Sequence, residues 1–218
     1  MNKENPKILI AVPMLKKLDS EFFTSFVAMK HVGQVQLGVE IDSLVYEARN
    51  RLVINALNNG CDYMLWLDSD MTFEPDIMVK LYEDLQQEGV DFVSGLCFKR
   101  ALPTKPTIIK KLVWNEKEDG TVEHRADSYE DYPKDSLFEI AGCGFAAVMC
   151  RTKYILDVAD HFGMSPFSPV PYLGEDFSFC IRAKAMGKKM FCDSRVKLGH
   201  IGTMIYDEAV WMNQENRA

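Results

Sequence analysis

The chain has 218 residues, 47% of them apolar, and a formal net charge of −7. That length and composition fit one globular domain with a sizeable core. The acidic balance, with short basic doublets such as Lys110-Lys111 and Lys188-Lys189 but no longer basic block, excludes a nonspecific grip on nucleic acid.

Lys7 to Val12 is a β-branched run closed by Pro13 and reads as a buried parallel strand. No secretion signal precedes it and no later run reaches the length of a membrane span, so a cytoplasmic protein is expected. Glu21 to Met29 reads as a helix, and Val32 to Val39 as a second strand. Ser43 to Asn58 reads as an amphipathic helix with Leu44, Ala48, Leu52, Ile54 and Leu57 near one face, closed by Asn59-Gly60. Tyr63 to Leu67 is an apolar strand, Pro75 to Gln87 a helix, and Asp91 to Cys97 a further strand. This alternation predicts an α/β fold: an open, mainly parallel (mixed) sheet with helices on both faces. Ligands gather at the carboxyl ends of such strands, where Pro13, Asp68, Asp70 and Ser94 are expected.

The second half changes character. Thr107 to Leu112 and the turn Asn115 to Gly120 predict an antiparallel hairpin, and Asp127 to Asp135 a surface loop. Ile140 to Met149 is apolar and glycine-rich, and Lys153 to His161 reads as a helix. Phe162 to Leu173, with Pro166, Pro169 and Pro171, reads as a loop with scope to move. Gly174 to Met186 is helical and stops at Gly187, and a last strand, Lys189 to Asp193, leads to His200. The six cysteines (Cys61, Cys97, Cys143, Cys150, Cys180 and Cys192) form no Cys-x-x-Cys pair, which suits buried thiols better than disulfides or zinc.

Four features could carry chemistry. Asp68 and Asp70, separated by Ser69, follow the strand Tyr63 to Leu67. Alternation puts both carboxylates on one side, a seat for a hard divalent cation. The plainer alternative is a turn whose aspartate caps the next helix, with Thr72 to Asp76 as the helix start. Glu175 and Asp176 open a helix after Gly174; they suit its dipole, or one of them is a general base. Arg182 lies two turns on, too far to pair along the helix with Asp176, and faces a ligand or another part of the core. His200, alone among four histidines in being flanked by glycines at a strand end (Gly199 and, one residue further, Gly202), is either a polar loop residue or a metal ligand. Arg49 on the Ser43 to Asn58 helix answers a phosphate or nucleobase, or pairs in solvent with Glu47; spacing does not decide whether Arg49 or Arg51 points inward. Neither phosphate-binding glycine fingerprint nor a Gly-x-Ser-x-Gly elbow is present.

In this order and spacing, Val12-Pro13, Ala48-Arg49-Asn50, Asp68-Ser69-Asp70, Gly142-Cys143-Gly144-Phe145, Gly174-Glu175-Asp176 with Arg182, and His200 resemble the GT-A nucleotide-sugar glycosyltransferases, family 2 in particular. The resemblance covers most of the chain. It implies one domain over residues 1–218, with a nucleotide-binding half (1–100) and an acceptor and catalytic half (101–218). It further implies transfer from a nucleotide-diphosphate sugar to an acceptor hydroxyl, with inversion. Asp70 and His200, with Asp68 as a further candidate, would hold Mn2+ or Mg2+. Pro13, Arg49, Asp68, Ser69, Gly142, Gly144 and Arg182 would line the donor site. Asp176 would be the base, with Glu175 as the alternative, and the Phe162 to Leu173 loop would order over the donor. The family's acidic nucleobase contact after the second strand has only Glu40 and Asp42 as candidates. Donor sugar, nucleobase and acceptor are left open, as is retention in place of inversion, since some GT-A enzymes with a metal-binding histidine retain configuration. Two other readings compete: a sugar-nucleotide nucleotidyltransferase, disfavoured because Pro13 to Lys17 lacks glycine, and a noncatalytic sugar- or nucleotide-binding protein of the same fold.

Overall fold

Apolar runs long enough for a strand but too short for a stable helix collect into one sheet, as seen in a computed structural model describing residues 5–14, 17–41, 43–202 and 205–215. Asp42 lies outside the described residues. In chain order the elements are β1 (Lys7–Met14), α1 (Ser20–Ala28), β2 (Gln34–Ile41), α2 (Val45–Asn58), β3 (Tyr63–Leu67), β4 (Met71–Phe73), α3 (Ile77–Asp84) and β5 (Phe92–Leu96). The hairpin β6 (Ile109–Glu116) and β7 (Val122–Ser128) follows, then β8 (Leu137–Ile140), β9 (Ala147–Arg151), α4 (Thr152–Phe162), α5 (Glu175–Ala185), β10 (Met190–His200) and α6 (Glu208–Glu215).

The sheet runs β2-β1-β3-β9-β5-β10-β4, with β8 also beside β10. β1 pairs in parallel with β2 and β3, and β5 with β10, whereas β9 inserts antiparallel between β3 and β5. It is the mixed, mainly parallel α/β sheet expected, and strands of both halves of the chain share it. Ile8 and Ile10 face the layer of α1 and α3, while Leu9 and Ala11 face that of α2, α4 and α5, so helices cover both sides.

Several local expectations are corrected. Met71–Phe73 is a short strand antiparallel to β10 instead of the entry to a helix, and Asp127 and Ser128 belong to β7. Gly142 makes only an isolated antiparallel bridge to Ile109, and a turn at Phe145–Ala146 leads into β9, so Gly142 to Phe145 is not itself a strand. β10 continues past Asp193 to His200. Ser94 is buried inside β5, its hydroxyl donating to the Gly95 carbonyl, and stands away from the strand ends. The inward face of α2 is Ala48, Arg49, Leu52, Val53 and Ala56, while Leu44, Ile54 and Leu57 are exposed.

Beneath the carboxyl edge of the sheet, Trp66, Phe92, Phe145, Phe167 and Phe179 form one aromatic block. Ring centroids are 5.0 Å apart for Phe145–Phe167 and 5.1 Å for Phe167–Phe179. Such pairs add about 0.5–1.5 kcal/mol each beyond the area they bury. The block ties β3, the glycine turn, the proline-rich loop and α5 into a single rigid unit.

A buried acidic pair on the opposite layer sets a pH dependence. Arg195 donates to Asp84 at 2.8 Å and to Asp193 at 2.8 Å, while the second, buried oxygen of each carboxyl has no partner that compensates a negative charge. Burial and the adjacent Asp193 raise the Asp84 pKa to about 7. The unfolded carboxyl ionises near 4, so the folded protein holds the extra proton between about 4 and 7, and stability falls as pH rises through that window. Asp84→Asn is expected to raise the melting temperature by about 2–4 °C at pH 8 and to change it little at pH 5. Thermal melts at the two pH values check this, and an equal shift at both contradicts it.

Candidate active site

Asp68 continues β3 by one more hydrogen bond, its N–H donating to the Ala146 carbonyl at 3.0 Å. The chain then turns, so strand alternation no longer governs the next residues. The two aspartates line one cleft but meet different partners: Asp68 meets Arg49, and Asp70 meets His200 and Arg100.

Arg49 is 2% exposed and matches neither expectation made for it. It does not pair with Glu47 in solvent; Arg51 makes that contact and another with Glu40. Nor does it face outward to a nucleotide. Its Nη2 donates to Asp68 at 3.0 Å and its Nε to Glu175 at 3.1 Å, and its guanidinium lies 5.6 Å from the centroids of both Trp66 and Phe145. A buried guanidinium needs such carboxylates and ring faces to compensate lost hydration. Nη1 is buried without a protein partner. Arg49 thus joins the end of β3 to the start of α5. Burial pushes the Asp68 carboxyl above its usual range, more than Arg49 pulls it down.

Asp70 Oδ2 lies 3.2 Å from His200 Nε2, while His200 Nδ1 is 2.9 Å from the Phe98 carbonyl. A carbonyl only accepts, so Nδ1 carries hydrogen and Nε2 is the nitrogen left to meet Asp70 or a cation. Burial raises the Asp70 pKa, but His200 and Arg100 outweigh it and hold the carboxylate below its usual range. Burial likewise lowers the His200 pKa, and its bonds to Asp70 and Phe98 more than reverse this. The flanking glycines have a packing reason. A Cβ on Gly199 would fall 2.5 Å from Thr72 Oγ1, so glycine lets β10 approach β4 and brings His200 to Asp70.

These donors fit a divalent cation in part. The 3.2 Å separation is close to that of two neighbouring ligands about 2.1 Å from one ion. No group of three or more His, Cys, Asp or Glu able to hold a metal occurs among the described residues, and Asp68 is engaged by Arg49. Two protein ligands suit Mg2+ or Mn2+ when phosphate oxygens and water complete the shell.

On α5, Asp176 Oδ1 accepts from the Phe177 N–H at 2.7 Å, and Oδ2 lies 3.5 Å from where a Gly144 Cβ would stand. Burial, then the neighbouring Glu175, raise the Asp176 pKa to about 6. Gly144 is open toward Asp176. Gly142, expected at the donor, is buried instead, where a Cβ would meet Cys180 and Leu112 at 3.0 Å. Arg182, also expected at the donor, points beneath the loop and donates to the carbonyls of Pro166 and Ser168 at 3.1 and 2.6 Å. With Phe167 fully buried, its N–H on Asn50, the Val170 N–H on Ser178 and Trp114 on Pro171, the loop expected to order over the donor is fastened to the core.

Pro13, Ser69, Asp68 and Asp70 line a cleft of about 300 Å³ together with Lys17 and Arg100. The two cations were missed in the sequence. Arg100 was the more accessible of the two, because it follows shortly after the carboxyl end of β5.

No family model and no curated protein matches the chain. Among solved structures, A197 from STIV superposes with a TM-score of 0.59 at 15% identity, covering 90% of this chain and 86% of that one. GalNAc-T7, crystallised with UDP, GalNAc and Mn2+, superposes with a TM-score of 0.57 at 9% identity, covering 96% of this chain and 46% of that one. At these identities the likeness is one of fold, a GT-A-like α/β architecture. The chain spans less than half the length of the GalNAc-T7 chain.

Proposed function

We propose that this protein is a glycosyltransferase that moves a sugar from a nucleoside-diphosphate sugar to an acceptor hydroxyl, with inversion and with Mn2+ or Mg2+. One observation carries the reading. Arg49 bonds both Asp68 and Glu175, so the turn that carries Asp70, itself against His200, and the helix start that carries Asp176 are tied to one another through a single buried guanidinium. That GalNAc-T7 holds UDP, GalNAc and Mn2+ in its crystal on a similar fold supports the donor class.

In this reading Asp70 and His200 hold the cation, while Pro13 and Ser69 line the cleft for the nucleotide. When bound, the cation neutralises charge that develops on the departing diphosphate. Asp68, fixed by Arg49, accepts hydrogen bonds from hydroxyls of the donor sugar or ribose. Asp176 takes the proton of the acceptor hydroxyl as that oxygen bonds to the anomeric carbon. The bond from that carbon to the diphosphate oxygen breaks, and its electron pair leaves with the diphosphate. Glu175 already accepts from Arg49, which supports Asp176 as the base. Gly144 leaves room for the acceptor beside Asp176.

A thermal-shift screen of nucleotide sugars with and without Mn2+ tests the reading. One donor class at about 100 times its dissociation constant is expected to raise the melting temperature by about 5 °C or more, and only with the metal. No shift with any donor, or one indifferent to Mn2+, contradicts it.

A further inference from the structure

Arg100 sits on the loop after β5, half exposed, yet its side chain follows a built track. A Cβ on Gly202 would come within 2.8 Å of Arg100 Cδ and 2.9 Å of Cγ, so the glycine keeps that track open. At its end Nη1 donates to Asp70 Oδ2 at 2.8 Å and to the Ile201 carbonyl at 3.3 Å. The Ile201 N–H returns to the Asp70 carbonyl at 2.7 Å, which ties the Ile201–Gly202 side of the track to the turn that carries Asp70. Asp70 Oδ2 is also the oxygen that faces His200 Nε2. A guanidinium and a divalent cation therefore contend for one carboxylate oxygen.

We propose that Arg100 is the resident cation of the metal seat: it neutralises Asp70 while the seat holds no metal, and moves to the donor diphosphate when a divalent ion takes that oxygen. The inference rests on the metal-dependent reading above. Charge makes this an exchange, because a dication at Asp70 repels a guanidinium a few ångströms away. A diphosphate offers that guanidinium paired acceptor oxygens matched to its planar fork. The side chain has room to make the move: it lines the cleft and is about 50% exposed, whereas the clamp Arg49 is sealed in the core. Lys17, on the same cleft, adds a second positive charge for the anion.

Calorimetric titration of the full chain at low ionic strength, first with Mn2+ alone and then with inorganic pyrophosphate in the presence of Mn2+, tests the exchange. Arg100→Gln is expected to bind Mn2+ about two- to fivefold more tightly than wild type, the scale of one partly exposed ion pair, and the gain should close at high salt. The same variant is expected to bind pyrophosphate at least threefold more weakly, and Arg100→Lys, which keeps the charge, should bring both affinities most of the way back to wild type. Mn2+ binding that is unchanged or weaker in Arg100→Gln, with wild type binding the ion, overturns the inference and leaves the functional reading standing. Absence of Mn2+ binding in wild type and variant alike overturns the reading and the inference together.

Discussion

Asp176→Asn is expected to lower transfer by about 10²–10⁴-fold while leaving donor affinity within about twofold of wild type. The amide keeps the shape of the carboxyl but cannot take a proton. The Asp176 carboxyl accepts from the Phe177 N–H and is neither of the two groups that the reading assigns to the cation. The pH profile separates this role from a structural one. With its pKa raised to about 6, first by burial and then by Glu175, the carboxyl is ionised above that pH and protonated below it. Wild-type kcat/KM should therefore fall along an acidic limb centred near pH 6, and the residual activity of the variant should lack that limb. Turnover near the wild-type rate in Asp176→Asn would move the base elsewhere, with Glu175 first to be tried.

Arg49→Met is the substitution expected to cost the most stability. It leaves Asp68 and Glu175 without the cation that compensates them, and breaking such a pair generally costs about 3–5 kcal/mol when fully buried. The Asp68 side chain is 30% exposed, which points to the lower end, about 3 kcal/mol, or about 10 °C in melting temperature. Methionine still fills the space between Trp66 and Phe145, so the loss reports charge more than volume. Adding Asp68→Asn should recover part of it, since the amide needs no counter-charge. Denaturant melts of the two single variants and the double variant check this; strictly additive losses would mean that the pair is not coupled.

Much of the frame was legible in the chain. Apolar strand-length runs marked β1, β3 and β5, and Gly60 and Gly187, both at positive φ, mark the ends of the helices they follow. The acidic turn after β3, the Glu175-Asp176 helix start and the glycine-flanked His200 could each be singled out as a polar group at an element's end. What could not be read depends on contacts between distant segments. The unbroken apolar run from Ala147 to Cys150, buried throughout, suits a strand but carries no direction, so the antiparallel insertion of β9 between β3 and β5 was hidden. Arg49 offers the same lesson: an arginine on an amphipathic helix is ordinarily solvated, and only Glu175, 126 residues away, and the turn of Asp68 make its burial tolerable. The prolines from 166 to 171 suggested a movable loop, and nothing local reveals that Arg182 and Phe167 hold it down.

The central claim is that Asp70 and His200 seat a divalent cation that in turn holds a nucleoside diphosphate. Calorimetric titration of UDP and GDP into wild type and Asp70→Ala, each with and without Mn2+, addresses it most directly. The account predicts binding of one of these nucleotides, or of another found in the donor screen, that requires Mn2+ in wild type and is lost in Asp70→Ala, with the variant's melting temperature nearly unchanged. Binding of equal strength in both proteins, or binding indifferent to Mn2+, would contradict it.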